Sequence, residues 1–192
     1  MKTNLPIILG SSSQWRQGIM SKLGIPFEVM TADIDEKAVR HDVPEEMVVL
    51  IAKAKAAALL PKIKEPSILI TADQVVRCNG EIREKPVDEK QAREFLESYK
   101  YFPAETISSI VVINTANGQM ASGVDLAKIF YKPIPAIVID ALIAKGEVFK
   151  AAGGFIHEDP LINPYIDHLE GTDDSIDGLP LALLEKLIAE VS

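Results

Sequence analysis

Four stretches carry residue types and spacings suited to chemistry on an anion. The first is Gly10-Ser11-Ser12-Ser13-Gln14-Trp15-Arg16, which follows the apolar run Ile7-Ile8-Leu9. A strand that breaks at Gly and Ser into a helix start exposes backbone N–H groups at the positive end of the helix dipole, a physical site for phosphate. Arg16, one turn in, adds a fork of donors. The spacing is not that of a Walker loop, and an ordinary capped helix start is the alternative. The second stretch, Asp33-Ile34-Asp35-Glu36, crowds three carboxylates onto a loop, either as a solvated acidic turn or around a cation. The third is Asp73, which follows the buried-strand pattern Ile68-Leu69-Ile70. An acid at the end of such a strand sits where ligands bind α/β sheets, and a structural aspartate is the competing reading. The fourth holds Lys53 and Lys55, on different faces of one helix, of which one can face a pocket. His157 has no second His or Cys at ligand spacing, which argues against a metal there.

These groups must be positioned by alternating strands and helices. The spacing predicts a helix over 13–23, with Trp15, Ile19, Met20 and Leu23 on one face and Gly24 as its stop. Pro26–Met30 reads as a strand. Pro44, with Glu45 and Glu46 behind it, opens a helix that runs to about Leu60. Asn79-Gly80 predicts a hairpin between Val75–Arg77 and Glu81–Arg83. Asp88 and Gln91 form a capping-box pattern for a helix to about Tyr99. Residues 105–114 and 120–131 read as strands around an Asn117-Gly118 turn, and 134–145 as a helix closed by Gly146. The Gly-broken segment 149–155 reads as a place of close backbone approach to a ligand, 171–175 as loop, and 181–191 as a final helix with a stripe of Leu181, Leu184, Leu187 and Ile188. No repeat or linker interrupts the chain, so a single domain over 1–192 is expected, with 105–131 best placed to project as a second lobe.

Composition narrows the function classes. The chain has 192 residues and a net charge of −8, which excludes the strong basic footprint of a duplex nucleic-acid binder but leaves room for a small anionic substrate. One cysteine, Cys78, rules out an internal disulfide and a multi-Cys zinc site. No signal peptide is evident at Met1-Lys2-Thr3-Asn4, so an intracellular, cytoplasmic location is expected. No apolar run reaches the ~20 residues of a membrane span.

Seven stretches occur in the order seen in Maf proteins: Gly10–Arg16, Asp33–Glu36, Ala52–Ala56, Thr71–Val76, Glu84-Lys85-Pro86, Ala152–Phe155 and Gly178-Leu179-Pro180. Over nearly its whole length the chain resembles Maf nucleoside-triphosphate pyrophosphatases. The resemblance implies an α/β fold related to inosine-triphosphate pyrophosphatases, a mixed sheet with flanking helices and two lobes around a cleft. It also implies a metal-dependent hydrolase using Mg²⁺ or Mn²⁺, and a homodimer. By the same resemblance Asp73 matches the catalytic acid. Arg16, Glu36, Lys55 and Lys85 match positions around the triphosphate and metal, with Glu36 and Asp73 as metal ligands, and Ser11 and Ser13 match the phosphate-contacting loop. Trp15, Gln74 and Glu158 match positions linked to base choice, and this set resembles the 7-methyl-GTP branch rather than the dTTP/UTP branch. Chemistry favours that pairing: a Trp ring stacks on the cationic 7-methylguanine, and a carboxylate accepts from its N1–H and 2-amino group. Gln14 and Gln17 stand where the family commonly has Pro and a second Arg. Glu84 stands where Gly is common, and 156–159 and 173–175 also depart from the pattern. A nucleotide-binding regulator of septum formation with little turnover is the alternative function the family implies.

Overall fold

A computed structural model describes residues 3–192; Met1 and Lys2, where the reading of the N-terminus began, lie outside the described residues. The chain forms two compact units, one of residues 3–74, 108–125 and 173–192, the other of residues 75–107 and 126–172. Three long strands, β3 (Ile68–Cys78), β5 (Ala104–Asn114) and β6 (Met120–Tyr131), contribute residues to both.

The first unit begins with β1 (Ile7–Leu9), which pairs in parallel with β2 (Phe27–Val29) on one side and with β3 on the other, giving the order β2-β1-β3-β5-β6. Side chains on a strand alternate between faces, and that period sorts the core into two layers. Ile7 and Leu9 of β1, with Ile68, Ile70 and Ala72 of β3, meet Ile19 and Met20 of helix α1 (Gln14–Lys22). Leu184, Leu187 and Ile188 of the last helix, α6 (Leu181–Val191), complete that layer. Ile8 and Leu69 face the other way, onto Ala52, Ala56 and Leu59 of helix α2 (Pro44–Leu59). Each fully buried Ile or Leu contributes about 1.5–3 kcal/mol, so the alternation fixes the register of β1 and β3 against both helix layers.

Period 2 along β3 meets period 3.6 along α2 at two consecutive points. Thr71 Oγ1 donates to the Ala52 carbonyl at 2.8 Å, and two residues on, Asp73 meets Lys55, three residues along the helix. Asp73 therefore lies in mid-strand, not at a strand end as expected. The β-branched Val75 and Val76 prolong the strand without a break and run it directly into the hairpin.

In the second unit, β4 (Glu81–Arg83) pairs antiparallel with β3 across Asn79-Gly80, whose positive φ values of 50° and 79° suit a tight hairpin turn. Helix α3 (Glu89–Ser98) is capped by Asp88, which accepts from the Gln91 N–H at 2.8 Å. The capping box is modified, because Gln91 Oε1 accepts from the Val87 N–H instead of the Asp88 N–H. Arg83 is buried at the other end of α3. It donates to the Phe95 carbonyl at 3.3 Å and Ser98 Oγ at 2.7 Å, beneath the Phe95 and Tyr99 rings. Helix α4 (Ala136–Lys145) ends at Gly146, and Tyr99, Tyr131 and Phe155 pack as an aromatic cluster.

The Gly-broken segment packs tightly within this unit. Gly153 has φ +70°, its carbonyl accepts from the Tyr99 hydroxyl at 2.7 Å, and a Cβ there would meet that hydroxyl at 2.8 Å and Val76 at 3.0 Å. Residues 166–170 form a strand, β7 (Ile166–Glu170), that the sequence reading passed over; it pairs antiparallel with β6, and its short, mostly polar stretch gives almost no periodic signal. In the first unit, 173–176 is a short helix, α5 (Asp173–Ile176), where a loop was expected. Asp174 makes the difference, because its side chain accepts from the Leu181 N–H and its carbonyl from the Leu179 N–H, closing the turn.

Candidate active site

The loop after β1 folds on its own serines. Ser11 Oγ accepts from the Ser13 N–H at 3.2 Å, and Ser13, as the N-cap of α1, accepts from the Arg16 N–H at 3.4 Å. This start places Arg16 on the buried side of α1, beside Ile19 and Met20. Trp15 is only half-buried and does not join that face, contrary to the expected stripe. Arg16 is 8% exposed. Its Nε donates to the Gly178 carbonyl and its Nη1 to the Ala72 carbonyl, each at 2.9 Å. Burial pulls its pKa below the ordinary value, against the opposing charges of Asp73 and Glu36.

Asp73 is 6% exposed. Its Oδ1 accepts from Lys55 Nζ at 2.7 Å, and the same ammonium lies 3.1 Å from Glu36 Oε1 and 3.4 Å from the Ala72 carbonyl. Lys55, not the exposed Lys53, is the helix lysine turned inward. Burial pushes the Asp73 carboxyl above the ordinary aspartate value; Lys55 and Arg16 oppose the shift and Glu36 adds to it. The acidic cluster of the sequence divides its labour. Asp35 caps a one-turn 3-10 helix, Glu36–Ala38, by accepting from the Lys37 N–H, Asp33 is exposed, and only Glu36 reaches Lys55.

Gln74, next along β3, is held by its amide nitrogen. Nε2 donates to the Ile176 carbonyl at 2.9 Å and to Ser108 Oγ at 3.0 Å, with the Ser175 carbonyl at 3.4 Å. A carbonyl cannot face an amide oxygen, so the two carbonyls settle which end is the NH₂. With both hydrogens engaged, Oε1 is the group Gln74 has left to offer, and it is an acceptor. Gly178 makes room for this arrangement. It has φ +86°, and a Cβ there would press on the Gln74 amide at 3.0 Å.

The first unit thus brings together Ser11, Ser13, Trp15 and Arg16 on one loop and helix start, and Arg16, Glu36, Lys55 and Asp73 in one charged cluster, with Gln74 following on the strand. Lys85 and Glu158 belong to the second unit, and both are exposed. Lys85 follows Glu84, whose carbonyl accepts from the Gly153 N–H at 3.1 Å. Glu158 lies between the buried His157 and Asp159. Sequence reasoning missed the groups that orient this site: the carbonyls of Ala72, Ser175, Ile176 and Gly178, and the Ser108 hydroxyl. Backbone carbonyls leave no mark in a sequence. Ser108 does leave one, as half of a Ser pair inside the apolar run Ile107–Ile110.

A mixed α/β protein with a buried carboxylate–lysine–arginine cluster beside a helix start belongs to the classes that handle anionic substrates. The family model described as "Maf-like protein" matches residues 6–191, and the chain belongs to the Maf family. It is 44% identical, over 99% of both chains, to the "7-methyl-GTP pyrophosphatase" of Dictyostelium discoideum. A "7-methyl-GTP pyrophosphatase" of Vibrio vulnificus is 31% identical over 97% of this chain and 95% of its own. A "dTTP/UTP pyrophosphatase" of Pelotomaculum thermopropionicum is 31% identical over 95% and 94%. Among solved structures, a nucleoside-triphosphatase / dITP/XTP pyrophosphatase from Mycobacterium abscessus matches with a TM-score of 0.39 at 13% identity, covering 69% of this chain and 75% of that one.

Proposed function

We propose that this protein hydrolyses nucleoside triphosphates to the monophosphate and pyrophosphate, with 7-methyl-GTP as its preferred substrate and UTP and CTP as further candidates. The relative at 44% identity over the full length supports the base preference, and the observation that carries the chemistry is the buried Asp73 sharing the Lys55 ammonium with Glu36. Hydrolysis between the α- and β-phosphates needs a positioned water and neutralised charge. In this reading Asp73 takes the proton of the attacking water. Burial raises its pKa, which makes it a stronger base once ionised. Arg16 and Lys55 bind the phosphates, Lys85 adds a further cation, and Ser11 and Ser13, whose oxygens accept within the loop, give their O–H groups as donors.

The donor set suits a hard divalent cation. Glu36 and Asp73 direct carboxylate oxygens onto one ammonium, so a cation is already held between them. Glu36 and Asp73 would hold Mg²⁺ or Mn²⁺, and the bound ion would neutralise charge developing on the phosphates. For the base, Trp15 stacks on the cationic ring, Glu158 accepts from the guanine edge, and Gln74 presents Oε1 to a ring donor.

We further propose that residues 1–192 act as one functional domain, as a homodimer in the cytoplasm, on free nucleotides, with neither duplex nucleic acid nor membrane as partner. The net charge of −8 supports the exclusion of duplex nucleic acid. No helix among the described residues is long and apolar enough to cross a membrane. The decisive experiment offers purified protein 7-methyl-GTP, GTP, UTP, CTP and dTTP with Mg²⁺ or Mn²⁺ and measures pyrophosphate. Release fastest from 7-methyl-GTP is expected. Release from none of them refutes the activity, and a strong dTTP preference refutes the base assignment.

A further inference from the structure

Lys55 sits in a cage of three oxygens drawn from two segments: Asp73 Oδ1 at 2.7 Å and the Ala72 carbonyl at 3.4 Å on β3, and Glu36 Oε1 at 3.1 Å. Its side chain is 12% exposed, so water does little of the solvation of this ammonium. The acids of the cluster are already balanced by the two cations Lys55 and Arg16. A divalent ion entering among the same oxygens meets an ammonium in its way and leaves a surplus of positive charge. A polyphosphate removes both obstacles, because it gives the displaced ammonium a new partner and offsets the surplus.

We propose that Lys55 is an internal placeholder for the divalent cation: in the nucleotide-free protein its ammonium occupies the metal's carboxylates, and nucleotide draws it away, so metal and nucleotide bind cooperatively. This rests on the reading of Glu36 and Asp73 as the metal ligands. Thermodynamic linkage then requires that nucleotide tighten metal binding by the same factor by which metal tightens nucleotide binding. It also requires that removing the ammonium tighten metal binding in the absence of nucleotide. A lysine whose only task is to hold phosphate predicts no such gain.

The test is Mn²⁺ binding followed by electron paramagnetic resonance of the free ion, with and without the α,β-imido analogue of 7-methyl-GTP, for the wild type, Lys55→Met and Lys53→Met. Lys53 is the exposed neighbour on the same helix and controls for loss of surface charge. Thermal melts establish that each variant is folded. The wild type should bind Mn²⁺ about tenfold tighter with the analogue than without it. Lys55→Met should bind Mn²⁺ without nucleotide about tenfold tighter than the wild type and lose most of the nucleotide effect, while Lys53→Met follows the wild type. If the wild type binds Mn²⁺ and Lys55→Met binds it no tighter, the placeholder role is wrong and the metal assignment stands. If no form binds Mn²⁺ with or without the analogue, the placeholder role and the metal assignment fail together. Pyrophosphate release decides the hydrolase reading separately.

Discussion

Each unit buries an aspartate against a lysine, and the two carboxyls are driven in opposite directions. Asp73, in the first unit, and Asp159, in the second, are both 6% exposed. Asp73 meets Lys55, and Asp159 meets Lys145. Burial alone would raise both. At Asp159 the Lys145 hydrogen bond and the Leu161 N–H, which donates to Oδ1 at 2.9 Å, outweigh it and hold the carboxyl below its ordinary value. At Asp73 burial wins. Among the described residues no backbone N–H donates to Asp73, its lysine is shared with Glu36, and the acid Glu36 raises it further. Burial beside a cation therefore does not by itself set the direction in which a carboxyl is shifted. Asp73 is desolvated more deeply, and the backbone helps to solvate the charge only at Asp159. Asp159 is finished by its own loop together with Lys145, whereas Asp73 shares one ammonium with Glu36 and has no backbone donor among the described residues.

The largest expected effect breaks the pair at Asp73. Asp73→Asn should lower pyrophosphate release by about 10³-fold, the scale of a lost general base, with nucleotide binding retained. A variant within tenfold of the wild type removes Asp73 from that role. The same substitution should leave the metal-free protein as stable as the wild type or more so. A raised native pKa means that the folded state holds its proton more tightly than the unfolded state. Stability then falls as pH rises from the ordinary aspartate value through the raised one and stays lower above it. Asn removes that loss, and melting curves across pH with a chelator present read it directly. At Asp159 the sign reverses. A depressed native pKa gives stability that is present at neutral pH and is lost as pH falls through the native value. Asp159→Asn should cost about 1–3 kcal/mol at pH 7 in urea denaturation. The gap to the wild type should close in acid, and turnover per folded molecule should stay near the wild-type rate. Equal stability losses for both variants at pH 7 would dissolve the contrast.

The contrast was only half legible in the sequence. Asp73 was picked out by the apolar run before it, yet the pattern could not show that the strand continues through Val75 and Val76 and places the acid in its middle. Inward-facing Lys55 and solvated Lys53 differ only in phase against β3, which the helix alone does not carry. The sequence carries no sign that Asp159 is paired, because its partner Lys145 lies on another element and its Leu161 donor is backbone. The helices, the Asn79-Gly80 hairpin and the α3 cap were readable, since propensity, capping and turn chemistry are local. The β6–β7 pairing, the Tyr99–Gly153 bond and the carbonyls around Arg16 and Gln74 join residues far apart in the chain, where no local pattern reaches.

Ser108 extends the comparison to a neutral group. Its buried hydroxyl donates to the Ser175 carbonyl and accepts from Gln74 Nε2, so backbone and side chain together complete the Gln74 amide, much as Leu161 completes Asp159. Ser108→Ala should loosen the amide without touching the charged cluster. KM for 7-methyl-GTP should rise about 3- to 10-fold, kcat should hold, and the preference over UTP should shrink. A fall in kcat with an unchanged KM would place Ser108 in service of Asp73 instead.

The smallest effect calibrates the backbone's share. Asp88 is exposed, caps α3 by accepting a single N–H from Gln91, and has no lysine within ion-pair distance among the described residues. Asp88→Ala should cost about 1 kcal/mol, the usual worth of an N-cap, with pyrophosphate release unchanged. That figure measures one backbone N–H on an aspartate in water. Asp159 has one such donor together with burial and a lysine, so a loss at Asp159 no larger than the loss at Asp88 would mean that burial and Lys145 cancel there. The backbone N–H would then be the whole of what stabilises the Asp159 charge.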